Sequence, residues 1–169
     1  MTAFVQKSLG RWRSQRSVHH LAFGHFEQVE SELEIAPVAI DAPAVVALCA
    51  AWGVPPATAI APFAMKWEGR SDWDGGQEVL AGECLLVPVP AQGKLLRDRG
   101  YAETLPAVGT FGFAPDGTFV LTTPYERAAA EERIWFVTDD VRYRVSSIRT
   151  SSGQGVVTAS FSTEIRRLA

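Results

Sequence analysis

Alternation of polar and apolar positions dominates this chain and predicts a protein built mostly of β-strands. Side chains that alternate between two faces, interrupted by turn residues, are the usual signal of half-buried strands. Ten strands are predicted, at residues 11–23, 26–40, 59–70, 77–89, 93–103, 107–114, 117–126, 131–137, 141–149 and 155–166. About ten short strands are typical of an all-β fold, an antiparallel up-and-down β-barrel, and barrels of this size often enclose one small ligand.

Helix is favoured in two places only. A helix near 41–53 is predicted from Asp41 as N-cap, Pro43 in the first turn, and apolar residues at helical spacing before Gly53. Residues 2–9 form a second, short N-terminal helix. Turns are predicted at Pro115-Asp116-Gly117, Gly75-Gly76, Thr138-Asp139-Asp140 and Ser151–Gly155.

One predicted hairpin collects polar side chains on a single wall. If Thr138-Asp139-Asp140 is a three-residue loop, Val137 pairs with Val141 and Glu132 lies opposite Ser146. Glu132 then shares a face with Arg142, Arg144 and Ser146. A two-residue loop would place Arg133 and Trp135 on the arginine face instead, and periodicity alone does not separate the lumen from the outer face.

Two segments place tryptophan beside charged residues: Trp12–Arg16 (WRSQR), with two arginines, and Trp67–Asp74 (WEGRSDWD), with charges of both signs. An aromatic face can stack on a planar molecule, an arginine can hold a carboxylate, and an acid can accept from N–H groups. The pattern favours a pocket for a flat, partly charged ligand.

Composition excludes several classes of protein. The 169 residues suit a single domain, 1–169, and the net charge of −3 argues against nucleic acid as a partner. No apolar run is long enough to span a bilayer and no secretory signal peptide is evident, so we expect no membrane insertion and a cytoplasmic protein.

Cys49 and Cys84 lie far apart and are predicted to be reduced, structural thiols. His19 and His20 point to opposite faces of a strand, so no metal site is predicted.

Six stretches resemble the S-type phycobiliprotein lyases, the CpcS/CpeS family: Gly10–Phe23, Ser31–Ile35, Trp67–Asp74, Leu95–Glu103, Glu131–Phe136 and Thr158–Arg166. The resemblance runs nearly end to end. It implies a lipocalin-like (calycin) barrel that binds a linear tetrapyrrole, a phycobilin. The implied activity is attachment of this bilin, through a thioether, to a cysteine of a phycobiliprotein apo-subunit. Phycocyanobilin or phycoerythrobilin would be bound as substrate, with no permanently bound cofactor, and a homodimer is possible.

The resemblance also implies roles for individual residues. Arg16, Arg142 and Arg144 match positions that hold the propionates, and Ser146 matches a polar wall position. Met65, Trp67 and Trp73 would shape and stack the conjugated system. Glu132 and Glu164 match the pocket carboxylates, and one of them is a candidate to hold the proton that makes ring A electrophilic. Because an unpaired buried carboxylate is costly, we expect one of the two to be poorly satisfied in the empty protein.

The same residues also fit other kinds of ligand-binding protein. A bilin carrier or chaperone would use the same pocket without transfer, whereas a fatty-acid-binding or haem-binding barrel would use it differently, with His19 or His20 as the axial ligand of a haem. Pro124 departs from the family pattern and predicts an edge strand or a bulge at that point. No exposed apolar stripe that would require a homodimer is evident in the sequence.

Overall fold

A computed structural model describes residues 1–73, 75–99, 106–150 and 155–168 of the chain. Its ten strands form one closed antiparallel barrel, in which each strand pairs with its sequence neighbours and β1 also pairs with β10. The strands are β1 Gly10–His20, β2 His25–Pro37, β3 Phe63–Ser71, β4 Val79–Val89, β5 Lys94–Arg97, β6 Ala107–Phe113, β7 Phe119–Pro124, β8 Ala128–Phe136, β9 Val141–Thr150 and β10 Val156–Arg166. The predicted lipocalin-like barrel is confirmed.

Both predicted helices are present, with changed boundaries. They are α1 Thr2–Ser8 and α2 Pro43–Ala51. The assignment of Asp41 as the N-cap of α2 is wrong: Ala42 holds that position and makes no side-chain cap, because Pro43 already fixes the first turn. β5 is shorter than the predicted 93–103, and residues 100–103, Asp74 and the turn residues 151–154 lie outside the described residues.

Helix α1 closes one end of the barrel, which we call the helix-capped end. Phe4 stacks on Phe119 with ring centroids 4.4 Å apart, and Val5 is buried. The indole Nε1 of Trp12 donates to the carbonyl oxygen of Ser8 at 2.8 Å, which ties the end of α1 to β1. The opposite end carries the β1–β2 and β3–β4 turns and is called the hairpin end. Within the described part of the chain, no helix covers it.

Helix α2 packs on the outside of the barrel and explains an apolar run in β4. Val45, Leu48 and Cys49 of α2 form a buried cluster with residues whose side chains point outward from β4 and β5, among them Val87 and Leu96. The alternate residues of β4, such as Leu86, point into the lumen. This strand is therefore covered on both faces, which favours continuous rather than alternating hydrophobicity.

The expectation that Pro124 marks an edge strand is wrong, because the closed barrel has no edge. Pro124 is the last residue of β7 and lies opposite Ala129 of β8. The ladder therefore ends where the missing N–H would begin to matter. Among the residues described, no helix is both long and apolar enough to cross a membrane.

Candidate ligand-binding site

The lumen has one polar wall and one apolar wall. The polar wall follows from the three-residue hairpin loop, which is confirmed: the backbone N–H of Val137 donates to Val141 at 2.8 Å, and Glu132 lies opposite Ser146. Because the pairing register of these strands is fixed, the inward-facing residues of β8, β9 and β10 lie side by side and form one continuous wall. Arg142 of β9 accordingly lies opposite Glu164 of β10.

A row of five buried or mostly buried charges crosses the polar wall, and we call it the lumen ion chain. Arg97 Nη2 donates to Glu132 Oε2 at 2.9 Å, and Arg144 Nη1 donates to the other oxygen of Glu132 at 3.1 Å. Arg144 Nε also donates to Glu164 Oε1 at 3.0 Å, and Arg142 Nε donates to Glu164 Oε2 at 2.5 Å. The order of the chain is therefore Arg97–Glu132–Arg144–Glu164–Arg142.

The expectation that Glu132 or Glu164 would be poorly satisfied in the empty protein is wrong. Each carboxylate accepts from two arginines, so neither is an unpaired buried charge. Burial raises the pKa of the Glu164 carboxyl, but Arg144 and Arg142 outweigh that effect and lower the pKa below its ordinary value. Glu164 is therefore ionised in the empty site at neutral pH.

Arg97 is a residue of the lumen ion chain that the sequence does not single out. Its side chain is almost completely buried, and it is the last residue of β5, directly after Leu95 and Leu96. Asp98 and Arg99 follow it directly, so the sequence alone does not distinguish it from the charged residues of the next turn. Its partner was not predictable from strand pairing, because Glu132 lies on β8 and two other strands separate it from β5.

Trp12 packs against the guanidinium groups of two arginines, Arg142 and Arg166. The guanidinium carbons of Arg142 and Arg166 lie 4.5 and 4.2 Å from its ring centroid. Trp12 is completely buried and its N–H is already bound to Ser8. This indole therefore acts on Arg142 through a cation–π contact rather than offering a face to a ligand.

The apolar wall carries two of the predicted ligand contacts. Met65 is buried and lies opposite Ile35 of β2, while Trp67 is half-buried and lies opposite Gly82 of β4. A Cβ added to Gly82 would overlap the six-membered ring of Trp67, so the indole lies flat over a position where no side chain fits.

Trp73 and Arg16 lie at the hairpin end, apart from the lumen ion chain. Trp73 is largely exposed and makes edge contacts with the rings of His20 and His25, at 5.0 and 4.0 Å between centroids. Arg16 is exposed but follows Ser14 on the inward face of β1. The structure thus brings Glu132, Glu164, Arg142, Arg144 and Met65 together, and places Trp73 and Arg16 at the rim.

Further polar contacts hold this rim. Nε2 of His20 lies 2.7 Å from Glu27 Oε2, and Ser71 Oγ donates to the other oxygen of Glu27. Burial raises the pKa of Glu27, but the hydrogen bonds from Ser71 and His20 outweigh it and the net pKa is lowered. Nearer the polar wall, Ser146 Oγ is hydrogen-bonded to Ser160 Oγ at 2.7 Å.

The interior space is small in the empty protein. A cavity of about 40 Å³ lies between the lumen ion chain and the apolar wall, next to Met65, Arg97 and Glu132. Pockets that bury a drug-sized ligand measure about 300–1,000 Å³. A large ligand must therefore occupy the hairpin end, or displace side chains of the lumen, or both.

A wider depression of about 710 Å³ lies on the outer surface of β1, β2 and β3 and is a weaker candidate. Its arginines are occupied by neighbours: Arg13 by Glu30, Arg167 by Glu32, and Arg70 by the carbonyl oxygen of Gly76. Exposed ion pairs and hydrogen bonds of this kind are common on protein surfaces and do not by themselves indicate a binding site.

The prediction of buried, reduced cysteines is confirmed. Cys49 and Cys84 are both free and buried. Burial raises the pKa of Cys84 to about 12, so its thiol is not a nucleophile at neutral pH. Among the residues that the structure covers, no group of three or more His, Cys, Asp or Glu side chains is placed to hold a metal ion.

Comparison with known proteins gives one consistent result. Residues 1–167 match the family model described as CpeS-like protein. A protein of Trichodesmium erythraeum named chromophore lyase CpcS/CpeS 3 is 54% identical over 96% of each chain. Chromophore lyase CpcS/CpeS of Thermosynechococcus vestitus is 42% identical over 96% of this chain and 90% of that protein. The solved structure of the S-type phycobiliprotein lyase CPES from Guillardia theta superimposes with a TM-score of 0.87 at 45% identity, covering 100% of this chain and 94% of that one.

Proposed function

The chain belongs to the CpeS-like family, and on that premise we propose that it is a chromophore lyase whose substrate is a phycobilin. It binds the linear tetrapyrrole at the lumen and joins it to a cysteine of a phycobiliprotein subunit. The observation that carries this proposal is the lumen ion chain facing an apolar wall. Such a lumen suits a flat, conjugated molecule with carboxylates on one edge.

The charge of the polar wall fits this substrate. Three arginines and two glutamates leave one excess positive charge in the lumen ion chain. A bilin with two propionates and one protonated ring nitrogen carries one excess negative charge. The buried Nη2 of Arg142 also lacks a hydrogen-bond partner among the described residues, so it can donate to an arriving carboxylate.

Binding then proceeds by exchange of carboxylates. A propionate that reaches Arg144 or Arg142 replaces a glutamate oxygen at that guanidinium. The released oxygen of Glu132 or Glu164 becomes free to accept from a ring N–H of the bilin. This exchange accounts for pocket carboxylates that are fully paired in the empty protein. Met65 and Trp67 pack on the opposite side of the rings, and Arg16 and Trp73 contact the part that remains at the rim.

The nucleophile in the transfer step is the acceptor's cysteine. Its sulfur adds to the ethylidene carbon of ring A, the electron pair of that double bond moves into the conjugated system, and the thiol proton ends on the bilin. One C–S bond forms, nothing leaves, and no oxidant is needed. The lyase supplies orientation, and a glutamate next to the rings holds the proton that makes ring A electrophilic.

The deciding experiment mixes the purified protein with phycocyanobilin or phycoerythrobilin and an apo-phycobiliprotein β-subunit. Denatured products are separated on a gel and scored by zinc-enhanced fluorescence, with a Cys→Ala acceptor as control. An adduct that needs both this protein and the acceptor cysteine supports the lyase and identifies its bilin. Tight bilin binding without an adduct would favour a carrier, and absence of bilin binding would contradict the proposal.

The same assay separates proton transfer from binding. Glu132→Gln keeps a hydrogen-bonding side chain but cannot hold a charge, so we expect it to slow transfer more than it weakens bilin binding. Equal losses of rate and affinity would contradict a role in protonation. Glu164→Gln is measured in parallel to decide between the two carboxylates.

A haem-binding or fatty-acid-binding function has less support. An axial haem ligand would have to come from His20, whose Nε2 is already bound to Glu27, or from the exposed His19. A fatty acid has one carboxylate and would leave most of the lumen ion chain without a use.

We also propose that the protein forms homodimers through the outer face of β8, β9 and β10. Rings there make an aromatic ladder, with centroids 5.7 Å apart for Trp135 and Tyr143 and 5.3 Å apart for Tyr143 and Phe161. Trp135 and Tyr143 are half-buried and Phe161 is exposed, and the three rings lie on three different strands, so no single strand shows them as a stripe in the sequence. Sedimentation of Phe161→Glu tests this: the wild type should sediment as a dimer and the variant as a monomer, and identical behaviour would contradict it.

We place the protein in the cytoplasm, acting as a single domain over 1–169. Two free, buried thiols suit a reducing compartment. Cell fractionation with an antibody against the chain tests the location.

A further inference from the structure

The turn between β1 and β2 is apolar where turns are usually polar. Leu21 and Phe23 within it are 55% and 78% exposed. Turns favour Gly, Pro, Asn, Asp and Ser because these residues tolerate or fix the required backbone angles. Gly24, with a φ of +61°, meets that need here. Leu21 and Phe23 are therefore not required by the turn itself.

Other turns of the barrel show that this one differs. Pro115-Asp116-Gly117 and Thr138-Asp139-Asp140 lie at the helix-capped end and are polar. Glu126 and Arg127, in the turn between β7 and β8 at the hairpin end, are charged. Large apolar side chains exposed together on a protein surface commonly mark an interaction site.

The apolar turn is held in place by its backbone. The N–H of Leu21 donates to the carbonyl of Val157 in β10 at 3.0 Å, and the N–H of Phe23 donates to His20 at 3.0 Å. At its base, Phe26 packs edge-on against His19, with centroids 5.0 Å apart. The two side chains are presented on an ordered support, so a partner that covers them pays little for ordering the backbone.

The turn also adjoins the rim of the candidate site. His25, directly after the turn, contacts Trp73 at 4.0 Å between ring centroids. Helix α1 occupies the opposite end of the barrel, so a second reactant approaches the lumen from the hairpin end. Reacting atoms must come within about 3–3.5 Å of each other, which brings the acceptor protein against this rim.

We propose that the Leu21–Phe23 turn is the docking contact for the acceptor subunit, and that Leu21 and Phe23 pack on an apolar surface of that subunit. This inference rests on the proposed lyase function. It assigns the turn to recognition of the acceptor protein and not to binding of the bilin, which the lumen performs.

The test uses the double variant Leu21→Ser with Phe23→Ser, in the full chain. Bilin affinity is measured by absorption titration, and the rate of adduct formation is measured against the concentration of apo-phycobiliprotein β-subunit. Losing a central apolar contact commonly weakens an interface by about ten-fold or more. We therefore expect KM for the acceptor to rise by about that factor, with bilin affinity within about two-fold of wild type. Leu168→Ser, at a residue 75% exposed outside the rim, is the matched control and should change neither quantity.

Three results would overturn the inference. An unchanged KM for the acceptor would show that the turn does not dock it. A loss of bilin affinity equal to the loss of transfer would assign the turn to the bilin site. A loss in Leu168→Ser as large as that in the double variant would show a general effect of removing surface apolar groups. Failure of the lyase function is seen separately, since the wild-type protein would then form no adduct.

Discussion

Each buried carboxylate of the lumen ion chain is neutralised by specific arginine side chains. Glu132 and Glu164 each bind two arginines, and Arg144 connects the two carboxylates. Removing one member of such a set leaves its partner buried and underpaired, which costs more than the intact pair contributes. The polar wall therefore behaves as one unit, in which a change at any residue is transmitted to its neighbours.

Arg97 offers the sharpest test of that balance. Arg97→Met preserves most of the side-chain volume but leaves Glu132 with Arg144 alone. We expect the free energy of unfolding, measured by urea titration, to fall by about 3–5 kcal/mol. Arg133→Met is the control, because Arg133 pairs with Glu131 at the surface and its loss should cost less than about 1 kcal/mol. Similar losses in the two variants would contradict the importance of Arg97.

The lowered pKa of Glu164 makes stability depend on pH. A carboxyl whose pKa is lower in the folded state stabilises the fold fully above its unfolded-state pKa, ordinarily 4.5, and loses that contribution as the pH falls toward the folded value. We expect the free energy of unfolding to decline between pH 5 and pH 3.

Glu164→Gln separates this residue from the other acids. The variant should be less stable than wild type at pH 7, since it removes the carboxylate that pairs with Arg142 and one of the two that pair with Arg144. Its stability should also depend less steeply on pH in the acid range. Parallel pH profiles for the two proteins would show that Glu164 does not contribute.

At the scale of strands and turns, register determines which side chains can meet. The loop at residues 138–140 fixes Glu132 opposite Ser146, and the pairing of β3 with β4 fixes Trp67 opposite Gly82. The second pairing matters for the ligand because the indole occupies the space that a side chain at position 82 would fill.

Gly82→Ala is therefore expected to move the Trp67 ring and weaken bilin binding by about ten-fold, roughly the worth of one displaced aromatic contact. Absorption titration with the bilin measures the affinity, and tryptophan fluorescence reports the ring movement. Gly112→Ala is the matched control on β6, since an added Cβ there meets nothing within 4 Å. If the two variants bind bilin equally well, Gly82 has no part in positioning Trp67.

The strands could be predicted from the sequence, whereas the contacts across the lumen could not. Alternation and turn residues predicted all ten strands. The polar wall of β8 and β9 followed only for a three-residue loop at 138–140, and the structure has that loop. Arg97 was missed because its partner lies across the lumen, and alternation within a strand carries no information about residues three strands away. Which arginine each carboxylate binds likewise depends on the curvature of the closed barrel.

For the whole molecule, helix α1 is what makes the two ends of the barrel different. Phe4 stacks on Phe119 and also meets Phe113 and Phe136 edge-on, at centroid distances of 6.0 and 5.9 Å. We infer that this aromatic packing seals one end of the lumen.

Phe4→Ala should loosen this seal. We expect a loss of about 2 kcal/mol in the free energy of unfolding, less than for a fully buried phenylalanine because Phe4 is partly exposed. Limited proteolysis should also cut the first ten residues sooner than in wild type. Val79→Ala, at an exposed position of β4 at the hairpin end, serves as the comparison and should leave the N-terminal cleavage rate unchanged. Equal cleavage of Phe4→Ala and wild type would argue against the seal.

The end of strand β10 lies beside the segment that joins α1 to β1. The Arg166 guanidinium donates to the carbonyls of Lys7 and Leu9 at 2.7 and 2.5 Å, and the backbone N–H of Arg167 donates to Arg11 at 2.8 Å. A short linker could join the termini while new ends are opened between Asp116 and Gly117, in an exposed turn. In such a circular permutant β1 and β10 would become neighbours in sequence. The pairing of β1 with β10 would become local, and the long-range pairing that closes the barrel would pass to β6 and β7, which would then be the last and first strands.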